Sequence, residues 1–453
     1  MQEVQSVIVY GSGISGKGAA QVLAAKGYKV YLYNDSPCTL EPEVNKELAA
    51  YGGRLVIGSD NLKPLLRDAY LMVLSPGVPA DAANVKLAEA AGLEVISEIE
   101  LGYRFYEGHI AGITGTNGKT TTTAIVGEMF KHLAVPSAIG GNIGLAFSKE
   151  TEHLPANSWI ATELSSFQLE KVKDFCPDIA LVLNLTPDHM ERHYTMEGYA
   201  AAKKNIFRNQ GPEQITVLNY DDPLVRTWAK ESRAQICYFS RKSTLPQGIF
   251  MLNGNFVIKW KDTTRVVCNI NDLHMFGDHN EENVLAAIAC GYFAGVSVED
   301  MAEVLRNFRT LEHRIEYVDT IKGVPYFNDS KSTNTDATTK ALEAFKEGHI
   351  VLLLGGHDKL TPLESMMALV QKKADVVIIM GAAKERFYCA AKAAGINRII
   401  LVNSFEEAVE QANKVAVPPQ VVLLSPACSS YDMFNNYRER GRYFKKLVKN
   451  LPR

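Results

Sequence analysis

Short apolar runs rich in β-branched residues alternate, almost from end to end, with longer segments whose apolar positions recur at helical spacing. That alternation predicts an α/β protein built on parallel sheets. In the first third, Ser6–Tyr10, Lys29–Asn34 and Tyr70–Leu74 read as strands, and Ile14–Lys26 as a helix with Gly27 just past its end. A second block opens with a strand at Ile110–Thr114, a glycine-rich turn and a helix over Thr122–His132. It continues with strands near Ser158–Glu163, Ile179–Leu185 and Gln214–Leu218, and helices over Met196–Phe207 and Val284–Ala294. Between residues 236 and 270 the pattern shortens, and Asn253-Gly254 between Ile249–Leu252 and Phe256–Trp260 predicts an antiparallel hairpin. A third block starts near Leu311, where Arg314–Val318 and Val324–Asn328 flank Lys322-Gly323. Its further strands fall at Ile350–Leu354, Val376–Met380, Arg398–Val402 and Gln420–Leu424. The expected organisation is three α/β units in series, over 1–107, 108–310 and 311–453.

Composition narrows the class. At 453 residues the chain is long enough for about three domains. Its formal charge of −3, without a long run of one sign, gives no electrostatic basis for nucleic-acid binding. No apolar run reaches the roughly 18 residues of a membrane span, so no membrane insertion is expected. The N-terminus enters a strand at once without a secretory pattern, and the seven cysteines are scattered with no Cys-x-x-Cys. Both point to a cytoplasmic protein with reduced thiols.

Two glycine-rich turns carry candidate chemistry. Gly11-Ser12-Gly13-Ile14-Ser15-Gly16 follows a strand and opens a helix, and Asp35 ends the next strand 19 residues after Gly16. This dinucleotide fingerprint fits NAD, FAD or a nucleotide-sugar diphosphate. Thr114-Gly115-Thr116-Asn117-Gly118-Lys119-Thr120-Thr121 follows another strand. A strict phosphate loop has glycine where Ile113 stands, so this is a shortened relative. Gly115 and Gly118 shape it, backbone N–H groups face phosphate, Lys119 reaches the terminal phosphates, and Thr120 or Thr121 can hold Mg²⁺. A dehydrogenase leaves the second motif idle, and a plain kinase leaves the first idle.

Other polar positions fall beyond strand ends, where open α/β sheets collect ligands. Glu163 and His189 can ligate a metal there, although imidazole is not the usual partner of Mg²⁺. The pairs Lys203, Lys204 and Asn280, Asn283 read by pattern alone as solvated positions, the asparagines just ahead of the apolar helix. In Asn328–Thr335, helix capping accounts for Ser332 or Thr333 but not for Asp329 and Lys331. Gly355–Lys359 and Ser425–Ser430 also follow strands, and the three polar loops can line one substrate site.

Taken in order, these residues resemble the ATP-dependent muramoyl ligases (Mur ligases) of bacterial peptidoglycan synthesis. The likeness runs through the whole chain. It rests on the first glycine turn, Ser75-Pro76-Gly77, the Thr114–Thr120 loop, Gly141-Asn142-Ile143-Gly144, Glu163–Glu170 and Asp188-His189-Met190. It continues through Leu311-Glu312-His313-Arg314, Asn328–Asn334 and Ser425–Phe434. The ATP loop is common to the sibling ligases and folylpolyglutamate synthase. The Glu163, Asn328 and Ser425 segments are similar to the branch that adds D-glutamate to UDP-N-acetylmuramoyl-L-alanine.

The resemblance implies three domains in series: an N-terminal Rossmann-like domain for the UDP substrate, a central P-loop-type domain for ATP and Mg²⁺, and a C-terminal Rossmann-like domain for D-glutamate. It implies UDP-substrate contacts at Ser15, Asp35, Ser36, Ser75, Asn142, Ser165 and His189. It implies ATP contacts at Gly115, Thr116, Asn117, Gly118, Lys119, Thr120, Thr121, Asn280, Asn283, Arg314, Asp329 and Lys331. Thr333, Lys359, Ser430 and Tyr437 fall to D-glutamate, Tyr437 standing where relatives carry phenylalanine. Thr120, Glu163, His189 and Lys203, the last as a carbamate, fall to the metal. Lys119, Glu163, His189 and Lys203 would carry the catalysis in a monomeric, cytoplasmic bacterial enzyme. The competing readings are a sibling ligase or folylpolyglutamate synthase, a nucleotide sensor built on an inactive ligase, and an NAD oxidoreductase.

Overall fold

The computed structural model describes residues 5–275, 277–309, 312–345, 348–358 and 360–452; Leu311 and Lys359 lie outside the described residues. The chain divides into two compact units, Met1–Asp272 with Glu282–Arg306, and Leu273–Glu281 with Asn307–Arg453. The first unit holds two sheets and the second holds one.

The first sheet contains β1 (Ser6–Tyr10), β2 (Lys29–Asn34), β3 (Arg54–Ile57), β4 (Ala69–Leu74) and β5 (Glu94–Ser97), in the order β3-β2-β1-β4-β5. All its pairings are parallel. The central strand β1 is buried at every position, as an apolar run covered on both faces must be. This is the doubly wound arrangement foreseen for the first block.

The second sheet contains β6 (His109–Thr114), β7 (Ser137–Gly141), β8 (Trp159–Glu163), β9 (Ile179–Val182), β10 (Ile215–Asn219), β11 (Gln235–Ser240), β12 (Gly248–Leu252), β13 (Asn255–Trp260) and β14 (Thr263–Asn269). Its order is β14-β13-β12-β11-β10-β9-β6-β8-β7. Only the β12–β13 and β13–β14 pairs are antiparallel. Asn253 (φ 50°) and Gly254 (φ 75°) make the expected hairpin turn, both in the left-handed region that a tight two-residue loop requires.

The third sheet contains β15 (Glu316–Ile321), β16 (Val324–Asn328), β17 (Ile350–Gly355), β18 (Ala374–Met380), β19 (Ile399–Leu401) and β20 (Val421–Leu424), in the order β15-β16-β20-β17-β18-β19. It is parallel except for β15, which turns back through Lys322-Gly323.

Several boundaries differ from the sequence reading, each for a local reason. The helix after the phosphate loop is Lys119–Phe130, three residues earlier than expected at its start. Left-handed Gly118 (φ 85°) caps it, and the threonines that lower its propensity are held by burial of Thr121, Thr122 and Thr123. The helix expected from Val284 runs over Asp278–Ala294, so Asn280 and Asn283 lie within its opening turns; Asp278 and Glu281 there suit its positive end. Asn334, not Ser332 or Thr333, caps helix Thr335–Ala344 by accepting from Ala337 N. The expected strand at Arg314 starts only at Glu316, because His313 (φ 72°) and Ile315 (φ 44°) are left-handed. Helix Met196–Lys204 ends three residues short of Phe207.

Candidate functional site

Strand β6 lies between β8 and β9, yet the chain leaves it for β7 on one side and later adds β9 on the other. Its carboxyl end is therefore a topological switch point, where a doubly wound sheet opens a crevice. The loop Gly115–Gly118 occupies that crevice. A Cβ on Gly115 (φ 151°) would lie 2.9 Å from Leu183 Cβ, and one on Gly118 would lie 2.2 Å from Asn283 Oδ1. Glycine is thus required twice, once against the strand-end backbone and once against the Asp278–Ala294 helix.

Asn184, just past β9, clamps the loop. Its Oδ1 accepts from Thr116 N (3.1 Å) and Asn117 N (2.9 Å), while its Nδ2 donates to Asn117 O (3.1 Å). The Thr116 hydroxyl donates to Thr186 O (3.1 Å) and accepts from Thr186 N (3.0 Å). Of the loop's backbone N–H groups, expected to face phosphate, those of Thr116 and Asn117 are used internally. What remains is the first turn of Lys119–Phe130, whose N–H groups have no intrahelical acceptor by construction. Thr120 is partly exposed there and Thr121 is buried, so only Thr120 presents its side chain outward.

Two lysines converge on one carbonyl. Lys119 Nζ donates to Gly115 O (2.8 Å) and Thr116 O (2.7 Å). Lys203 Nζ donates to the same Gly115 O (2.8 Å), and lies 4.7 Å over the Tyr199 ring. Lys203 is 1% exposed, against the solvated reading of the Lys203, Lys204 pair. Lys204 does face outward, paired with Glu231 at 2.8 Å. Burial first, and then the charge of Lys119, hold the Lys203 amine well below its ordinary range; Asp188 and Glu163 pull weakly the other way.

Glu163 ends β8 and is buried. Its Oε1 accepts from Asn142 Nδ2 (2.9 Å), and Asn142 N donates to Glu163 O (2.8 Å). Its Oε2 is buried without a hydrogen-bond partner among the described residues. A carboxylate oxygen left in that state suits a cation. His189 is held in a left-handed conformation (φ 56°), its ring edge-on to Phe167 at 4.8 Å. It stands at the N-cap of helix Met190–His193, and backbone outliers of this kind cluster at functional sites. Thr122 Oγ1 donates to Asn283 Oδ1 (3.3 Å), which ties Asn283 to the same loop.

The first glycine turn is equally tight. A Cβ on Gly16 would fall 1.7 Å from Gly11 O, and one on Gly11 2.7 Å from Ser75 Cβ. The turn and Ser75 thus adjoin at the carboxyl ends of β1 and β4, with half-buried Ser15 in the first turn of helix Ile14–Ala25. Asp35 follows β2 and accepts from Tyr10 OH, Tyr33 OH (2.7 Å) and Asn84 Nδ2 (2.8 Å). Burial and then the hydrogen bond to Asp35 push the Tyr10 phenol up to about 12. Exposed Ser36 adjoins it. The Ser165 hydroxyl caps a short helix, accepting from Gln168 N (3.3 Å).

In the second unit, Asp329 is buried and links three segments, accepting from Ser332 Oγ (2.5 Å), Ser425 Oγ (2.7 Å) and Ile315 N (3.2 Å). Burial outweighs those donors and raises its carboxyl to about 6. Lys331 Nζ donates to Tyr437 OH (2.9 Å) and lies 4.2 Å over the ring. Burial would raise the Tyr437 phenol, but the charge and hydrogen bond of Lys331 bring it below its ordinary value. Thr333 is half-buried and Ser430 buried. Asn280 and Arg314 belong to this unit, whereas Asn283 belongs to the first.

The fold and the loop geometry define a multidomain α/β protein of the phosphate-loop kind. Residues 113–291 match the Mur ligase middle domain, and residues 313–428 match the Mur ligase, glutamate ligase domain. UDP-N-acetylmuramoylalanine--D-glutamate ligase of Lachnoclostridium phytofermentans is 39% identical over 450 residues, covering 99% of this chain and 98% of that protein. The protein of the same name from Pelotomaculum thermopropionicum is 40% identical over 450 residues, with the same coverage of 99% and 98%. Among solved structures, UDP-N-acetylmuramate-alanine ligase from Thermotoga maritima has the same fold, with a TM-score of 0.60 at 20% identity, covering 99% of each chain. A pseudomurein peptide ligase type C from Methanothermus fervidus is similar, with a TM-score of 0.60 at 17% identity, covering 99% of this chain and 100% of that one. The chain belongs to the Mur ligase family of ATP-dependent peptide ligases.

Proposed function

We propose that this chain joins D-glutamate to UDP-N-acetylmuramoyl-L-alanine, consuming ATP, in the synthesis of bacterial peptidoglycan precursors. One observation carries the ligase chemistry: Lys119, held on the Gly115 and Thr116 carbonyls, stands at a helix N-terminus, where its charge and the helix's first N–H groups suit polyphosphate. The shared name of the full-length relatives supports the choice of substrates.

In this reading the L-alanyl carboxylate attacks the γ-phosphorus, ADP leaves, and an acyl phosphate forms. The neutral amine of D-glutamate then attacks the acyl carbon, loses a proton, and expels phosphate. Lys119 and the first-turn N–H groups of its helix orient the phosphates and offset the charge that develops on them. Asn283, with Asn280, Arg314, Asp329 and Lys331, completes the nucleotide contacts. Ser15, Asp35, Ser36, Ser75, Asn142, Ser165 and His189 hold the UDP substrate, and Thr333, Lys359, Ser430 and Tyr437 hold D-glutamate.

The residues present fit a divalent cation on one condition. The unpartnered Glu163 Oε2 suits it; the ammonium of Lys203 does not, but a carbamate does. The suppressed amine is the form that takes up CO₂, releasing a proton and gaining an anionic oxygen. Thr120, Glu163, His189 and carbamylated Lys203 would then hold Mg²⁺, which neutralises charge on the transferring phosphoryl group when bound. The functional divisions are 1–107, 108–310 and 311–453, and the enzyme works as a cytoplasmic monomer. No helix among the described residues is long and apolar enough to cross a membrane.

The test is product mass after incubation with UDP-N-acetylmuramoyl-L-alanine, ATP, Mg²⁺ and each glutamate enantiomer. Product with D-glutamate, much less with L-glutamate, and none without ATP is expected. Equal turnover of the enantiomers would remove the D-specific assignment, and turnover only with L-alanine or L-lysine would assign a sibling ligase.

A further inference from the structure

Arg440 lies wholly buried in the first turn of helix Tyr437–Lys449, and no motif in the sequence singles it out. Its Nε donates to Ser330 Oγ (2.9 Å) and its Nη2 to Ser330 O (2.8 Å). Its Nη1 donates to Cys428 O (3.1 Å) and Ser429 O (3.2 Å). Every guanidinium nitrogen is therefore bonded, and all four acceptors are neutral oxygens.

Burying a cation without an anionic partner is costly, and an apolar residue of similar size would avoid that cost. Burial lowers the guanidinium only to about 10, so it stays charged at neutral pH. Its position gives the charge a use. Strands β16 and β20 are parallel neighbours, and the loops leaving their carboxyl ends carry Lys331 and Thr333 on one side and Ser430 on the other. Arg440 grips both loops through residues adjacent to those side chains. Gly356 packs close by: a Cβ on it would stand 3.3 Å from Nη1.

We infer that Arg440 is a positioning residue that fixes the spacing of these two loops and supplies the positive potential by which the amino-acid subsite favours a doubly acidic substrate. This rests on the proposed D-glutamate reading. A lysine in its place keeps the charge, but one nitrogen cannot span Ser330 and Cys428–Ser429 as a planar fork does.

Arg440→Lys and Arg440→Gln separate the two effects, with Ser330→Ala as a milder variant that removes one acceptor and leaves the guanidinium in place. Steady-state kinetics would measure KM for D-glutamate, ATP and the UDP substrate, and kcat/KM for D-glutamate against D-glutamine. Both Arg440 variants should raise KM for D-glutamate by about tenfold or more, with KM for the UDP substrate within about twofold. The preference for D-glutamate over D-glutamine should fall in Arg440→Gln and persist in Arg440→Lys. Ser330→Ala should give a smaller rise confined to D-glutamate. If the Arg440 variants do not fold, an unchanged D-glutamate KM in Ser330→Ala overturns the inference. So does a rise common to all three substrates in any folded variant. Failure of the unaltered protein to use D-glutamate would instead overturn the functional reading.

Discussion

Replacing Glu98 by glutamine should make the first unit more stable in alkaline than in acidic solution, relative to the unaltered protein. Glu98 opens helix Glu98–Phe105 and is buried against Ser148 of helix Phe147–Thr151, where the layers of the first and second sheets meet. Its Oε1 accepts from Ser148 N and Ser148 Oγ, both at 2.6 Å, while Oε2 is buried without a partner. Burial, only partly offset by those two bonds, lifts the carboxyl from its ordinary 4.5 to about 7. The folded state therefore holds this proton more tightly than the unfolded chain. The resulting stabilisation is complete below pH 4.5 and is lost as pH rises through about 7. The loss amounts to about 2 to 3 kcal/mol between pH 5 and pH 8. Glutamine keeps the acceptor and cannot ionise. Its amide places a buried donor where the protonated acid also has one, at a cost independent of pH. The stability of Glu98→Gln minus that of the unaltered protein should thus grow by about 2 to 3 kcal/mol from pH 5 to pH 8. All three tryptophans, Trp159, Trp228 and Trp260, lie in the first unit, so urea titration followed by tryptophan fluorescence reports on the right part of the chain. An equal difference at both pH values would refute the reasoning.

Lys203→Ala should be nearly inactive and partly restored by acetate, which can place a carboxylate oxygen in the vacated space. Lys204→Ala should work almost normally, since Lys204 pairs with Glu231 away from the site; full activity in Lys203→Ala, measured as product formed, would reject the carbamate. Lys119→Ala should abolish acyl-phosphate formation while calorimetry still detects the UDP substrate, and loss of both ligands in a folded variant would end the two-site division.

Much of the fold was legible because the relevant signals are local. The run Ser6–Tyr10 is buried throughout, and only a strand covered on both faces tolerates such a pattern. Asn253-Gly254 specifies its own turn. Strand β7 was illegible for the opposite reason: Ser137–Gly141 ends in two glycines and gains its extended form from pairing with β8. The early start of Lys119–Phe130 was hidden in the same way, because a run of threonines opposes helix until tertiary packing buries three of them.

The candidate site divides along the same line. Glycine loops announce themselves, since backbone geometry restricts those positions to one residue type, and both loops fell where the pattern put them. Asn184 was invisible because its task depends on β9 ending at Val182, which frees the following residues to bind the phosphate loop. Lys203 and Lys204 show the limit most clearly. Neighbours on a helix point about 100° apart, so one can be buried while the other is solvated, and a pair of lysines carries no mark of which is which. A lysine reads as a surface residue because burying its charge is costly. Where the fold imposes burial nonetheless, that cost favours the neutral amine, and the neutral amine is the reactive form. The property that conceals Lys203 in the sequence is the one on which its proposed carbamylation rests.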